Sequence, residues 1–412
     1  MPYAEANLGD GLILRSVRNE ADVARFTALH AAVTNEGVIC DRLLHHRPET
    51  DYDDFFFVED QNTGEVVSTT CLIPWVFNYV GVTLRTAMLE MVVTHPDYRR
   101  RGLVRTQIDR FHQIVGERGF DLSIIQGIPY YYRQYGYAYA LDHTRLESLP
   151  AWRVPDGADV EAFTLRSATL DDVDSLTELY RLAIAKHQVY VRRTPEYWRY
   201  LLKQMAYRYR VVEEIRTNRA VGYVCVSQRG QHLKIHENGI TDHDVGWAVL
   251  RQLKMETTGE IHVVGSSANV LVGLARSLGS RSPPCDQWLL RLPNVTRFLR
   301  RIGPVLEQRL TDAGAAGLTT EICFNFFRQA VMLSFEEGKL RAVRSAGFVD
   351  TSMGADGGDL CIPPDAFVRL VFGYRTLEEL QDAWPDIRIK PERRHIVDAL
   401  FPRLRAHILM PY

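Results

Sequence analysis

The stretch that most constrains the fold runs from residue 88 to 137, MLEMVVTHPDYRRRGLVRTQIDRFHQIVGERGFDLSIIQGIPYYYRQYGY. Its apolar opening, 88–93, suits a strand, and a His-Pro-Asp turn leads from it into three arginines and Gly102. Val104, Ile108, Phe111 and Val115 recur at steps of four and three, which puts them on one face of a helix with Arg105, Gln107, Asp109 and Arg110 elsewhere. Gly119 closes that helix, and 121–125 reads as a buried strand.

A strand, a basic glycine turn and a helix form a phosphate cradle. The first N–H groups of the helix, from Arg100 to Val104, lack intrahelical partners and lie at the positive end of its dipole. Gly102 lets the backbone approach a pyrophosphate, and Arg99, Arg100 and Arg101 can add charge-assisted bonds. Taken alone, RRRG reads sooner as a solvated basic loop before an amphipathic helix.

The surrounding sequence resembles the GNAT superfamily of acyl-CoA-dependent N-acetyltransferases, whose motif is Gln/Arg-x-x-Gly-x-Gly/Ala. Arg99, Arg100, Arg101, Gly102, Leu103 and Val104 occupy its six positions, with Val104 departing from the small residue of the pattern. Downstream, residues 131–137 (YYRQYGY) match the aromatic-Tyr-x-x-x-Gly-aromatic segment of the same superfamily. The resemblance implies acetyl-CoA as co-substrate, lying along Met91, Val92 and Val93 with its pyrophosphate on 99–104, and Gly127 and Ile128 at cofactor-lining positions.

Composition narrows the remaining classes. A chain of 412 residues with 46% hydrophobic and 10% aromatic content supports two or three domains with substantial cores. Forty-nine basic against 51 acidic residues recommend no nucleic-acid partner. No run approaches the roughly 18 apolar residues of a membrane span. The start MPYAEANLGD lacks the positive end and apolar core of a signal peptide, so the cytoplasm is the expected location and no membrane partner is expected. The six cysteines (Cys40, Cys71, Cys225, Cys285, Cys323 and Cys361) have no CxxC spacing and read as buried thiols. Neither His45/His46 nor His236/His243 offers metal-site spacing, and no metal is expected.

Along the chain, the first domain (1–150) reads as a strand at GLILRSV, an acidic-started helix, a polar stretch at 34–54, strands at DFFFVED and EVVSTTCLIPWVFNYV joined by Asn-Thr-Gly, and then the 84–137 region. The carboxylates Glu36, Asp41, Glu49, Asp51, Asp53 and Asp54 suit either a site for a cationic amine or a solvated loop, and Trp75 and Phe77 either a cleft wall or core. A second domain (151–293) echoes the first: FTLRSATLDDVDSLTELYRLA against ILRSVRNEADVARFTALHAA. Its counterpart of the arginine turn is TDHDVGWAVLRQL, without arginine-glycine chemistry, so this copy is expected not to bind CoA.

The last segment (294–412) reads as a helix at RFLRRIGPVLEQRL, a hairpin around Glu-Glu-Gly-Lys, and further helices. With two GNAT-like units before it, it resembles the sterol-carrier-type domain that closes the enhanced intracellular survival acetyltransferases. The fold class expected is therefore α+β, built of mixed α/β GNAT folds followed by a sterol-carrier-like domain. That resemblance implies that Tyr132 protonates the departing thiolate and that the terminal carboxylate of Tyr412 serves as general base. The tyrosines around Tyr132 are open to a plain aromatic-core reading. It also implies a homo-oligomer acting on a small-molecule amine or lysyl peptide. Two rivals are transfer of a longer acyl chain and a non-catalytic carrier of apolar ligands with a CoA-sensing domain.

Overall fold

In the computed structural model, which describes residues 5–142, 145–157, 161–283, 287–350 and 357–412, the chain forms two compact units. One comprises Met1–Leu44, Glu49–Leu141 and Gln287–Arg405; the other comprises His45–Pro48, Asp142–Asp286 and Ala406–Tyr412.

The first unit begins with β1 (Ala6–Gly9) and β2 (Leu12–Ser16), the latter burying Leu12 and Leu14 on alternate positions. Asn19 caps α1 (Glu20–Val33) by accepting from the Asp22 N–H at 3.0 Å. The polar stretch after it contains a helix that the sequence reading did not place, α2 (Gly37–His45), whose Cys40, Leu43 and Leu44 are buried. Then come β3 (Phe55–Asp60), β4 (Glu65–Tyr79), β5 (Val82–Thr94), α3 (Leu103–Glu117), β6 (Leu122–Ile125) and β7 (Ala138–Asp142). In the sheet the order is β1-β2-β3-β4-β5-β6, then the strand Gln287–Arg291, then β7. The apolar face of α3 (Ile108, Phe111, Ile114, Val115) packs on this sheet with Leu72, Leu89 and Leu289. Trp75 and Phe77, open to a cleft reading in the sequence, are core residues.

Two irregularities in this sheet position the site. Between Thr69 and Cys71 the β4–β5 register shifts, so that Thr70 opposes both Met91 and Val92. This is a β-bulge, and Met91 in it has a left-handed φ of 53°. Beyond the bulge no ladder holds β6 to β5, because their parallel pairing covers only residues 86–88 of β5.

Also in the first unit, a five-stranded sheet runs Lys339–Gly347, Ala330–Glu336, Thr320–Asn325, Leu360–Cys361, Arg388–Ile389. The expected hairpin is thus part of a three-stranded meander. The single helix expected at RFLRRIGPVLEQRL is two, Val295–Arg301 and Gly303–Asp312, because Pro304 cannot continue a helix and starts a new one instead. This part packs on the first through Tyr79, whose hydroxyl donates to the Val371 carbonyl at 2.6 Å between the rings of Phe298 and Phe372.

The second unit holds a six-stranded sheet in the order Arg145–Pro150, Glu260–Gly265, His232–Asn238, Arg219–Arg229, Arg208–Glu214, Phe163–Ser167. The helices His243–Met255 and Val270–Ser277 pack on one face around Leu250, Leu253 and Leu271. The repeat seen in sequence recurs as one ion-pair pattern. Arg15 forks onto Asp22 at 2.6 and 2.8 Å and reaches Glu59 at 2.9 Å, while Arg166 forks onto Asp172 at 2.9 and 2.7 Å and reaches Glu213 at 2.7 Å.

Sequence seams at 150 and 293 do not follow the strand pairing. Arg145–Pro150 pairs with Glu260–Gly265 in the second unit, and Gln287–Arg291 pairs with β6 in the first. Such exchanges rest on hydrogen bonds between residues far apart in the chain, which local patterning does not encode. The tail belongs to the second unit as well: Ala406 and His407 pair in parallel with Val189 and Tyr190. The five described cysteines are buried and in no disulfide, and Cys285 lies outside the described residues.

Candidate active site

A cavity of about 590 Å³ opens where β5 runs past its bulge towards α3. Val92 and Val93 line it from the strand, and Arg99, Arg100, Gly102, Leu103 and Val104 from the turn. Arg100 and Gly102 both have left-handed backbones, with φ of 63° and 79°. No atom would crowd a Cβ at Gly102 within 4 Å, so glycine is favoured there by its backbone conformation and not by lack of space. As N-cap of α3, Gly102 supplies no side-chain acceptor, which leaves the first N–H groups of the helix facing an arginine-rich turn. This arrangement suits a pyrophosphate.

Three residues of the expected cofactor set, Arg101, Met91 and Gly127, are not among those lining the cavity. Arg101 is directed elsewhere: its guanidinium covers the Tyr98 ring at 4.6 Å and donates to the Asp97 carbonyl at 3.3 Å. Met91 is buried beneath the cavity, its sulfur 3.3 Å from the Cys40 thiol, so that it contributes backbone geometry at the bulge.

Tyr132 lines the same cavity from a short 3-10 turn, Tyr131–Tyr135, that ends at Gly136 with φ of 83°. It is 6% exposed and meets Tyr131 and Tyr137 edge-on at 5.1 and 6.4 Å. Burial, followed by the negative charge of Glu90, pushes its pKa above the ordinary tyrosine value. Its neighbours differ in placement. Tyr137 is buried on Ser123 with a 2.7 Å hydroxyl contact, Tyr130 is 75% exposed, and Tyr135, also at the cavity, is pushed up to about 12 by burial and the Tyr131 hydroxyl. Gly127 also answers a steric demand. A Cβ there would lie 2.1 Å from ring carbons of Tyr132, so the glycine seats that ring, while Ile128 lines the cavity.

Several cavity residues were not singled out in sequence: Val33 and Thr34 from the end of α1, and Arg105, which donates to Gln134 at 3.1 Å and covers Tyr135. Arg105 lies in the first turn of α3, and that position was the available signal. Of the acidic stretch, Asp54 is buried against Arg118. Tyr412 lies in the second unit at the end of a tail held by Arg193, which reaches the Leu409 carbonyl at 3.4 Å, and by Tyr197, which donates to the Pro411 carbonyl.

Among the described residues one group has metal-ligand types close together: His232, Glu260 and His262 of the second unit, with ligand atoms within 4.8 Å of one another. His232 Nδ1 accepts the Glu260 N–H at 3.1 Å, which fixes the proton on Nε2 and leaves that nitrogen no lone pair for a metal. Among the described residues no helix is long and apolar enough to cross a membrane.

Comparison with known proteins agrees with this architecture. Residues 15–140 match the sequence pattern of the Acetyltransferase (GNAT) domain. The fold is that of a GNAT N-acetyltransferase with Eis-like organisation. A probable N-acyltransferase from Enterococcus faecalis V583 superposes with a TM-score of 0.74 at 14% identity, covering 97% of this chain and 99% of that one. A GCN5-related N-acetyltransferase from Anabaena variabilis gives 0.70 at 15% identity over 96% and 98%, and Eis1 from Mycobacterium abscessus gives 0.63 at 16% identity over 96% and 98%. No curated protein matches the sequence.

Proposed function

We propose that the protein is an acetyl-CoA-dependent N-acetyltransferase acting on a primary amine by direct attack in a ternary complex. The observation that carries this reading is one cavity that joins an uncapped, arginine-flanked helix start to a buried tyrosine. The amine nitrogen attacks the thioester carbonyl, the C–S bond breaks, and Tyr132 gives its proton to the leaving thiolate. Burial keeps the phenol protonated in the resting enzyme, and by the same raised pKa makes it a weaker acid towards the thiolate. The Val92 N–H, at the bulge, stabilises the oxyanion. The amine proton goes to the terminal carboxylate of Tyr412, by analogy with the resembled enzymes. In this reading residues 1–150 form the catalytic domain, 151–293 a GNAT-like domain without CoA, and 294–412 a sterol-carrier-like domain, in a cytoplasmic homo-oligomer.

The test is thiol release from acetyl-CoA across aminoglycosides, polyamines, lysyl peptides and arylamines, with longer acyl-CoA donors alongside. Amine-dependent release is expected, fastest with acetyl-CoA. Faster turnover with a long-chain donor would transfer the reading to another acyl group, and CoA-independent binding of apolar ligands without any turnover would replace it with the carrier. Deleting Tyr412 is expected to lower turnover about 100-fold; full activity in that truncation would remove the carboxylate as base.

A further inference from the structure

Met91 is a bulky residue held at φ of 53°, a conformation that costs about 1–2 kcal/mol. Something must hold it there. Three consecutive hydroxyl residues of β4, all fully buried, grip the carbonyls of β5 around the bulge. Ser68 donates to Val93 at 3.0 Å, Thr69 to Met91 at 3.0 Å, and Thr70 to Glu90 at 3.2 Å. A run of buried hydroxyls is expensive in a strand interior unless each is satisfied, and here each finds a main-chain oxygen.

Behind Thr69 stands His30 of α1, fully buried and stacked on Phe26 with centroids 5.3 Å apart. Its Nε2 lies 2.8 Å from Thr69 Oγ1. Because the single hydroxyl proton of Thr69 goes to the Met91 carbonyl, Nε2 must be the donor, which fixes the ring tautomer with Nδ1 bare. Burial holds the ring neutral by lowering its pKa to about 4. The chain of contacts runs from helix to hydroxyl to the carbonyl of the one left-handed residue in the strand.

We infer that His30 and Thr69 are positioning residues: together they lock the Met91 carbonyl, and with it the bulge that presents the Val92 N–H to the thioester oxygen. This inference rests on the acyl-CoA reading above, with neither residue touching substrate. Fixing a peptide in advance matters because an oxyanion donor works only if it need not reorganise during reaction. Ser68 differs: its one hydrogen is shared between two acceptors, the Val93 carbonyl and Gln107 Oε1 of α3 at 2.8 Å, so only Thr69 has a ring N–H behind it.

The test uses the full chain with acetyl-CoA labelled by carbon-13 at the thioester carbonyl, read by infrared spectroscopy of the bound ligand together with kcat and calorimetric affinity. Wild type is expected to bind with a carbonyl stretch below that in solution. Thr69→Val, nearly isosteric, returns the stretch towards the solution value and lowers kcat roughly 10- to 100-fold, with affinity for CoA within about threefold. Thr69→Ser restores both signals, and His30→Gln, which keeps an N–H donor, loses less than His30→Leu. A purely structural role would lower the melting temperature of the Val variant while leaving the stretch in place. A wild-type stretch equal to that in solution, or a Val variant with unchanged stretch and kcat, would overturn the inference and leave the transferase reading standing. Failure of the wild type to bind acetyl-CoA would overturn both.

Discussion

The two repeats meet the same local problem, the start of an amphipathic helix after a strand, and solve it with opposite charge. In the first unit α3 begins at Gly102, which has no side chain to cap it, amid Arg99, Arg100 and Arg105. In the second unit the helix His243–Met255 begins at Asp242, whose carboxylate accepts the N–H groups of Asp244 and Val245 at 2.8 and 3.1 Å. The cavity beside it, about 800 Å³, is lined by Asp174, Glu178, Glu214 and Asp244 with Arg219 as its one basic residue among those lining it. A helix N-terminus wants an anion. The second helix carries its own, whereas the first leaves the place to a ligand. On the proposed reading, whether a copy of this fold takes a nucleotide cofactor turns on the few residues at one turn.

The largest expected effect breaks that contrast directly. Gly102→Asp puts a carboxylate where the pyrophosphate would lie, and close like charges cost several kcal/mol, so affinity for CoA should fall about 1000-fold with helical content kept. Isothermal titration and circular dichroism of the same sample check both halves. Next comes Tyr132→Phe, which removes the acid and leaves the cradle intact. A fall in kcat of about 100-fold with an unaltered CoA dissociation constant is expected from single-turnover and binding measurements.

Much of this site was legible in the sequence because it is local. The turn at 99–104, the apolar face of α3 and the position of Tyr132 depend on spacings within 50 residues, and the second copy was betrayed by Leu-Arg-Ser before an acidic helix start. What escaped is what distant residues decide. Ser68, Thr69 and Thr70 read as ordinary strand residues, since nothing nearby in sequence announces the bulge opposite them. The exchange of Arg145–Pro150 and Gln287–Arg291 between sheets joins residues more than 100 positions apart. Helix α2 was hidden by its charge, although Cys40, Leu43 and Leu44 recur at helical steps.

Smaller effects sharpen the comparison from the other side. Asp242→Ala removes a helix cap and should destabilise the second unit by about 1 kcal/mol, seen as a lower thermal midpoint. It should leave CoA binding unchanged, because that turn has no arginines to exploit. The least visible effect is on pH. With its pKa above the ordinary value, Tyr132 stays protonated as pH rises and loses its proton only beyond pH 10. The rate profile should therefore show no descending limb from Tyr132 between pH 7 and about 10. A limb in that interval that vanishes in Tyr132→Phe would assign the phenol a lower pKa than its burial dictates.

The central claim is that one turn of the two binds the cofactor, and its most direct measurement is the stoichiometry of CoA binding by calorimetric titration of the full chain. One CoA per chain in the wild type and none in Gly102→Asp is the predicted result. Two per chain, or one that survives Gly102→Asp, would contradict it.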